Sequence, residues 1–146
     1  KFLVLYFYIR PKSAFNEPMD AIVYGVIVSL GFATFENISY VYSGNFEVDS
    51  FSLAIVRAVS AIPMHATCGI IMGYFFGLYA FTQSRQFLVK SLVFPIGIHA
   101  TYNFLTGYDF FFLYFLAAVM VYARGLHTEF AELQSKKARE DESKVI

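Results

Sequence analysis

Apolar positions in this chain fall into long runs, and polar residues are largely confined to the short gaps between them. A helix needs about 20 apolar residues to cross the hydrocarbon core, with a range of roughly 17–25. Residues 21–42 meet that length, interrupted only by Glu36 and Asn37. Residues 51–82 form a second run whose only charge is Arg57, which reads as one long or tilted span. Residues 87–105 are a third, with Lys90 near the start, and residues 110–123 a shorter fourth that extends a little at either end. Residues 2–9 read as the last half of a further span whose beginning lies upstream. The pattern predicts an all-α fold, a polytopic transmembrane helical bundle of four full spans plus the end of a truncated one. It divides into a membrane unit over residues 1–123 and a charged tail over 124–146.

Composition supports this reading. Of the 146 residues, 58% are hydrophobic, 20% aromatic and only 15% charged, against about 25% charged in an average soluble domain. Ten of the charged residues fall after residue 123, so the first 123 positions share only twelve. A water-soluble domain of this size could not bury so much apolar surface in one core. Acidic and basic residues cancel, which leaves no net field for nucleic acid. The single cysteine, Cys68, excludes an internal disulfide framework. The opening at Lys1, without a Met, is read as that of a fragment or a processed chain.

Lysines and arginines collect on the cytoplasmic side of membrane proteins. Arg10 and Lys12 lie in the first gap, Arg85 and Lys90 around the third, and Arg124, Lys136, Lys137, Arg139 and Lys144 in the tail. The intervening gaps carry Glu47, Asp49 and Asp109 and no cation. This alternation predicts a cytoplasmic tail and a cytoplasmic 10–20 loop. Small residues recur every fourth position at Gly69, Gly73 and Gly77 and at Gly25, Ser29 and Ala33, a spacing that lets helices approach closely in lipid. Pro63 and Pro95 each sit inside an expected span, where a proline kinks a helix and frees a carbonyl one turn earlier.

Few polar residues remain inside the spans, and each ionisable one is costly there. They are Glu36, Asn37, Arg57, His65, His99 and Asn103. At a rise of about 1.5 Å per residue, Glu36, His65 and His99 fall within a turn or two of one another in depth on three antiparallel helices. Glu36 with Tyr40, and His99 with Asn103, are four apart and share helix faces. Arg57, nearer the outer surface, has Glu36, Glu47 and Asp49 as candidate partners. Taken singly, each polar residue fits a packing or ion-pairing role; together they suggest one shared site.

A carboxylate beside imidazoles can deprotonate a water, and an Asn or protonated His can donate to a developing oxyanion. Two histidines and a carboxylate are also a competent zinc set with an open position for a hydrolytic water. The soluble H-E-x-x-H signature is absent, so spacing leaves metal-dependent and glutamate mechanisms both open. Either leads to peptide hydrolysis within the bilayer. Two other readings use the same residues: a non-catalytic scaffold of this fold, and a proton or ion carrier.

Three ordered blocks carry a resemblance. The first runs from Asn16-Glu17-Pro18-Met19-Asp20 through Tyr24-Gly25 to Gly31-Phe32-Ala33-Thr34-Phe35-Glu36-Asn37-Ile38-Ser39-Tyr40. The second leads from Arg57 to Pro63-Met64-His65 and on to Gly69 and Gly73; the third is His99-Ala100-Thr101-Tyr102-Asn103-Phe104. Over residues 1–106 the chain closely resembles the PrsW family of membrane proteases, and is distantly similar to the CAAX prenyl endopeptidase and bacteriocin-processing group. The resemblance implies an integral protein of a bacterial inner membrane that cleaves a membrane-anchored protein, possible first-site cleavage of an anti-sigma factor included. It maps the family's Glu-Asn motif onto Glu36 and Asn37, its middle histidine onto His65, and its last motif onto His99 and Asn103. Glu36, His65, His99 and Asn103 are then the expected catalytic residues, with Glu36, His65 and His99 the ligands if the cofactor is Zn2+. The family's first motif is a Glu-Glu pair followed three residues later by Lys. Lys1 resembles its end, which implies glutamates immediately upstream.

Overall fold

The computed structural model describes residues 1–43 and 49–143. Among the described residues it is all-helical, 86% helix, with no strand. Helix α1 (Phe2–Val4) runs directly into a π-helical turn over Leu5–Ile9. It is followed by α2 (Pro18–Ser43), α3 (Ser50–Val59), α4 (Ala61–Thr82), α5 (Arg85–Leu105) and α6 (Phe111–Ser143). Glu47, one candidate partner for Arg57, and tail residues 144–146 lie outside the described residues.

Among the described residues three helical segments are long and apolar enough to cross a membrane: Pro18–Tyr42, Ser50–Thr82 and Phe111–Lys136. The chain is therefore an integral membrane protein. Helix α5, expected from its sequence to be a further span, is not among those three.

The 51–82 run is one membrane-crossing segment, as expected, but its helix is interrupted within the segment. The backbone leaves helical geometry at Ser60 (φ −122°, ψ −58°), ending α3 and starting α4. Pro63 explains the position of the break. It has no N–H for the carbonyl of Val59, and its ring would clash there in a continuous helix. With the break at Ser60, Pro63 falls in the first turn of α4, where a missing N–H costs least. At its other end α3 is capped by Asp49, whose carboxylate accepts hydrogen bonds from the backbone N–H groups of Phe51 and Ser52 at 3.1 and 3.0 Å. Bonds from Ser52 and Phe51 hold the exposed Asp49 carboxyl below its usual range.

Helix α4 is the axis of the bundle. It is apolar on every side, as befits a helix surrounded by others, and α2, α3, α5 and α6 all pack on it. One buried group joins its Ile71, Tyr74 and Phe75 to Ile22 of α2 and to Val119, Leu126 and Phe130 of α6. Another joins Met72, Phe76 and Tyr79 to Leu5 and Ala21. Glycines set the α2–α4 distance. A Cβ on Gly25 would meet the Gly69 carbonyl oxygen at 2.6 Å, and one on Gly73 would meet the Ile22 Cα at 2.6 Å. This is backbone-to-backbone contact of the kind that drives helix association in lipid.

The charged segment after Arg124 continues the same helix, α6. Its Phe130 is buried, and its ring rests where a side chain on Gly77 would otherwise be. The loop after α1, the two-residue α4–α5 turn and the start of α2 gather at one end of the bundle. There Arg10 donates to Gln83, and Gln134 of α6 accepts from the Met19 N–H at 3.1 Å and bonds Glu17.

Candidate functional site

Glu36, His65 and His99 come from three helices and meet in one place. Each offers one ligand atom, and the three atoms lie within 4.8 Å of one another. Glu36 Oε2 is 2.8 Å from His65 Nε2, and His99 Nε2 is 3.4 Å from the same His65 nitrogen. The two imidazole planes meet at 63° with ring centres 4.9 Å apart. Asn103, one turn along α5 from His99, holds its amide nitrogen 3.4 Å from His99 Nδ1.

Each position follows from local sequence. Pro63 ends α3 early and places His65 in the first turns of α4, fully buried. On α2, Ser29 lies seven residues before Glu36, on the same face. Its hydroxyl donates to the His65 backbone carbonyl at 2.6 Å, which fixes the height of α4 against α2. His99 and Asn103 share a face of α5 by their four-residue spacing, and Asn103 remains exposed.

Arg57, at the C-terminal end of α3, reaches back to α2. Its Nη2 donates to Glu36 Oε2 at 3.1 Å and its Nε to Asn37 Oδ1 at 2.7 Å. The guanidinium also lies over the Tyr40 ring, 3.8 Å from its centre. Among the described residues, Glu36 is the candidate partner that Arg57 meets. Asn37 therefore orients Arg57, and is not itself within the ligand group. On the opposite side, Lys1 Nζ lies 2.6 Å from His65 Nδ1 and 4.7 Å from the centre of the Phe32 ring.

The sequence did not reveal three of these neighbours. Ser29 belonged to a small-residue stripe that reads as packing, Phe32 carried no signal that pointed at His65, and Lys1 was marked as the end of the family's first motif but with no partner named for it. The heptad distance from Ser29 to Glu36 was the available clue.

The site opens onto a cavity of about 670 Å³ between α1, α2, α4 and α5. Glu36, His99 and Asn103 line one part of it, and Phe32, Met72, Leu92 and Ile96 give it an apolar wall. A tetrahedral zinc with ligands near 2.1 Å holds them about 3.4 Å apart. The His65–His99 separation already matches that spacing, and the Glu36–His65 contact needs to open by about 0.6 Å. The donor set fits, because two imidazoles and a carboxylate leave a fourth position free. With its amide turned so that Oδ1 accepts from Nδ1–H, Asn103 holds the second nitrogen of His99 as outer partners of ligating histidines do, and its NH2 stays free to donate.

Together the fold and site define a helical membrane protein with a candidate metal centre of two histidines and one glutamate. The chain belongs to the family described as PrsW family intramembrane metalloprotease, whose model matches residues 1–124. It is 39% identical over 107 residues to the Protease PrsW of Geobacillus kaustophilus, covering 72% of this chain and 45% of that protein. It is 36% identical over 125 residues to the Protease PrsW of Bacillus subtilis, covering 84% and 55%. With the Protease PrsW of Clostridioides difficile it shares 32% identity over 125 residues, covering 83% and 52%. The chain thus spans about half the length of these relatives. No solved structure matches it.

Proposed function

We propose that this chain forms the core of an intramembrane endopeptidase that hydrolyses a peptide bond of a membrane-anchored protein. Glu36, His65 and His99 hold a zinc ion in this reading, and Asn103 donates to the oxyanion that develops on the scissile carbonyl. The observation that carries it is the convergence of three ligand atoms within 4.8 Å at the wall of an apolar cavity.

The chemistry a zinc ion supplies when bound is Lewis-acid activation of a carbonyl and of an attacking water. The protein's own groups do the rest. With the imidazole nitrogens committed as ligands, the second oxygen of Glu36 is the group able to take the water's proton and return it to the leaving amine. Arg57 supplies the countercharge that a carboxylate needs among apolar helices. The apolar cavity wall keeps bulk water from the substrate, which strengthens every charge interaction inside.

Helix α5 serves as the fourth span in this reading. Its 21 residues reach about 31 Å, the thickness of the hydrocarbon core. Residues 1–123 then form the membrane unit and 124–146 a cytoplasmic extension. The gathering of Arg10, Gln83 and Gln134 at one end, with Lys12 and Arg85 close by in sequence, supports that orientation. Bacterial relatives support the inner membrane as the location, and the family resemblance makes an anti-sigma factor the substrate to try first.

The test is cleavage of a membrane-anchored reporter by the full-length protein in liposomes. His65→Ala and His99→Ala each lower cleavage by about a thousandfold, the worth of several kcal/mol of lost transition-state stabilisation. Chelation abolishes cleavage and zinc restores it. Wild-type cleavage by either variant overturns the site assignment. Chelator-resistant cleavage that Glu36→Gln abolishes overturns the zinc and leaves a glutamate mechanism.

A further inference from the structure

A second hollow, of about 520 Å³, lies on the other side of α4, between it and α6. Its walls are apolar: Pro63, Ala66 and Ile70 on α4, Met120 and Val121 on α6. Arg124 and His127 close one end. Seven residues separate Pro63 from Ile70 and Met120 from His127, so the groove is about 10 Å long.

Arg124 is exposed, and no carboxylate forms an ion pair with it among the described residues. Yet it lies within the Phe111–Lys136 segment, which is apolar enough to cross a membrane. The uncharged part of that segment, residues 111–123, is about 20 Å long, some 10 Å short of a bilayer core. A short apolar stretch draws the headgroup layer inward. An unpaired guanidinium at lipid level needs an anion, and the nearest abundant source is a lipid phosphate.

We propose that the α4–α6 groove seats an anionic phospholipid, with one acyl chain along Ile70, Met120 and Val121 and the phosphate on Arg124, assisted by His127. The site faces away from the candidate metal centre and does not depend on the catalytic reading. A guanidinium matches phosphate oxygens in a two-point fork, and the groove matches the chain attached to them.

Spin-labelled phosphatidylglycerol and phosphatidylcholine, compared in nanodiscs that hold the full-length protein, test this. The immobilised fraction favours phosphatidylglycerol by about fivefold, the worth of one cation near an anionic lipid. Arg124→Gln brings the preference close to unity, Arg124→Lys keeps part of it, and Arg85→Gln leaves it unchanged. Inorganic phosphate does not displace the labelled lipid. Equal immobilisation of the two lipids, a preference that survives Arg124→Gln, or displacement by inorganic phosphate overturns the proposal.

Discussion

The two sides of the candidate metal centre are built differently. Glu36 and His65 stand on α2 and α4, whose backbones touch at Gly25, Gly69 and Gly73 and are pinned by the buried Ser29 hydroxyl on the His65 carbonyl. His99 and Asn103 stand on α5, of which only Ser91 and Tyr102 are buried and which carries Pro95 mid-helix. A cavity of about 670 Å³ lies between α5 and the α1–α2 side. The contacts follow the same division: 2.8 Å for Glu36–His65, but 3.4 Å for His65–His99 and for His99–Asn103. A close-packed pair of helices can fix two ligands in advance. A less encumbered helix can bring the third and still admit an extended peptide beside it. The difference suggests that the rigid half defines where the chemistry happens, and the open half decides what enters.

The strongest way to break this comparison is to add one methyl to the rigid half. Gly73→Ala puts a Cβ against the Ala21 carbonyl oxygen and, at 2.6 Å, the Ile22 Cα; both neighbours are backbone, which cannot rotate away. The helices must separate or tilt, at a cost of about 1–3 kcal/mol or more. Because Glu36 and His65 rely on that crossing, the variant loses stability and activity together. Unfolding in mixed micelles and reporter cleavage measure the two. An unfolding midpoint equal to that of the wild type would show that the α2–α4 crossing is wider than described.

The rigid half was also the more legible one. Stripes of small residues at Gly25, Ser29 and Ala33 and at Gly69, Gly73 and Gly77 announced a close crossing, and scarcity alone marked Glu36 and His65. Depth along antiparallel helices was enough to group them with His99, since a rise per residue is fixed by helix geometry. What depth could not supply was rotation and breaks. The interruption at Ser60 depends on where the chain yields to Pro63, and a hydrophobic run reads as continuous across it. The contact of Lys1 with His65 joins positions 64 residues apart and leaves no periodic trace. The course of α6 was hidden for a similar reason. Phe130 is one aromatic in a charged segment, and its meaning depends on a notch at Gly77, on another helix.

The open half can be sharpened through Asn103. Its amide, with Oδ1 turned to accept from the second ring N–H of His99, is an outer partner of that ligand, and removing such a partner typically lowers metal affinity or activity 10–100-fold. Asn103→Ala is therefore expected to weaken zinc binding by that factor, measured by competition with a chelator, with the fold unchanged. The exposure of Asn103 argues against a packing role. If zinc affinity holds while cleavage falls, the amide acts on the substrate and not on the ligand. If both hold, Asn103 is outside the site altogether.

The smallest effect, and the closest control, is the same added methyl on the open half. Gly97 is exposed on α5, two residues from His99, and a Cβ built there meets nothing within 4 Å. Its φ is not positive, so alanine fits without strain. Glycine inside a helix gives up more backbone entropy on ordering than alanine does, so Gly97→Ala should stabilise the protein by about 0.4–1 kcal/mol. The same substitution thus carries opposite signs at Gly73 and Gly97, and the comparison fails if the signs agree. Activity adds a finer reading, because the methyl stiffens the helix that carries His99. If α5 shifts to close the ligand set around a substrate, cleavage falls while stability rises. Unchanged cleavage would instead mean that α5 is already in place before substrate arrives, and that its looser packing serves only to keep the cavity open.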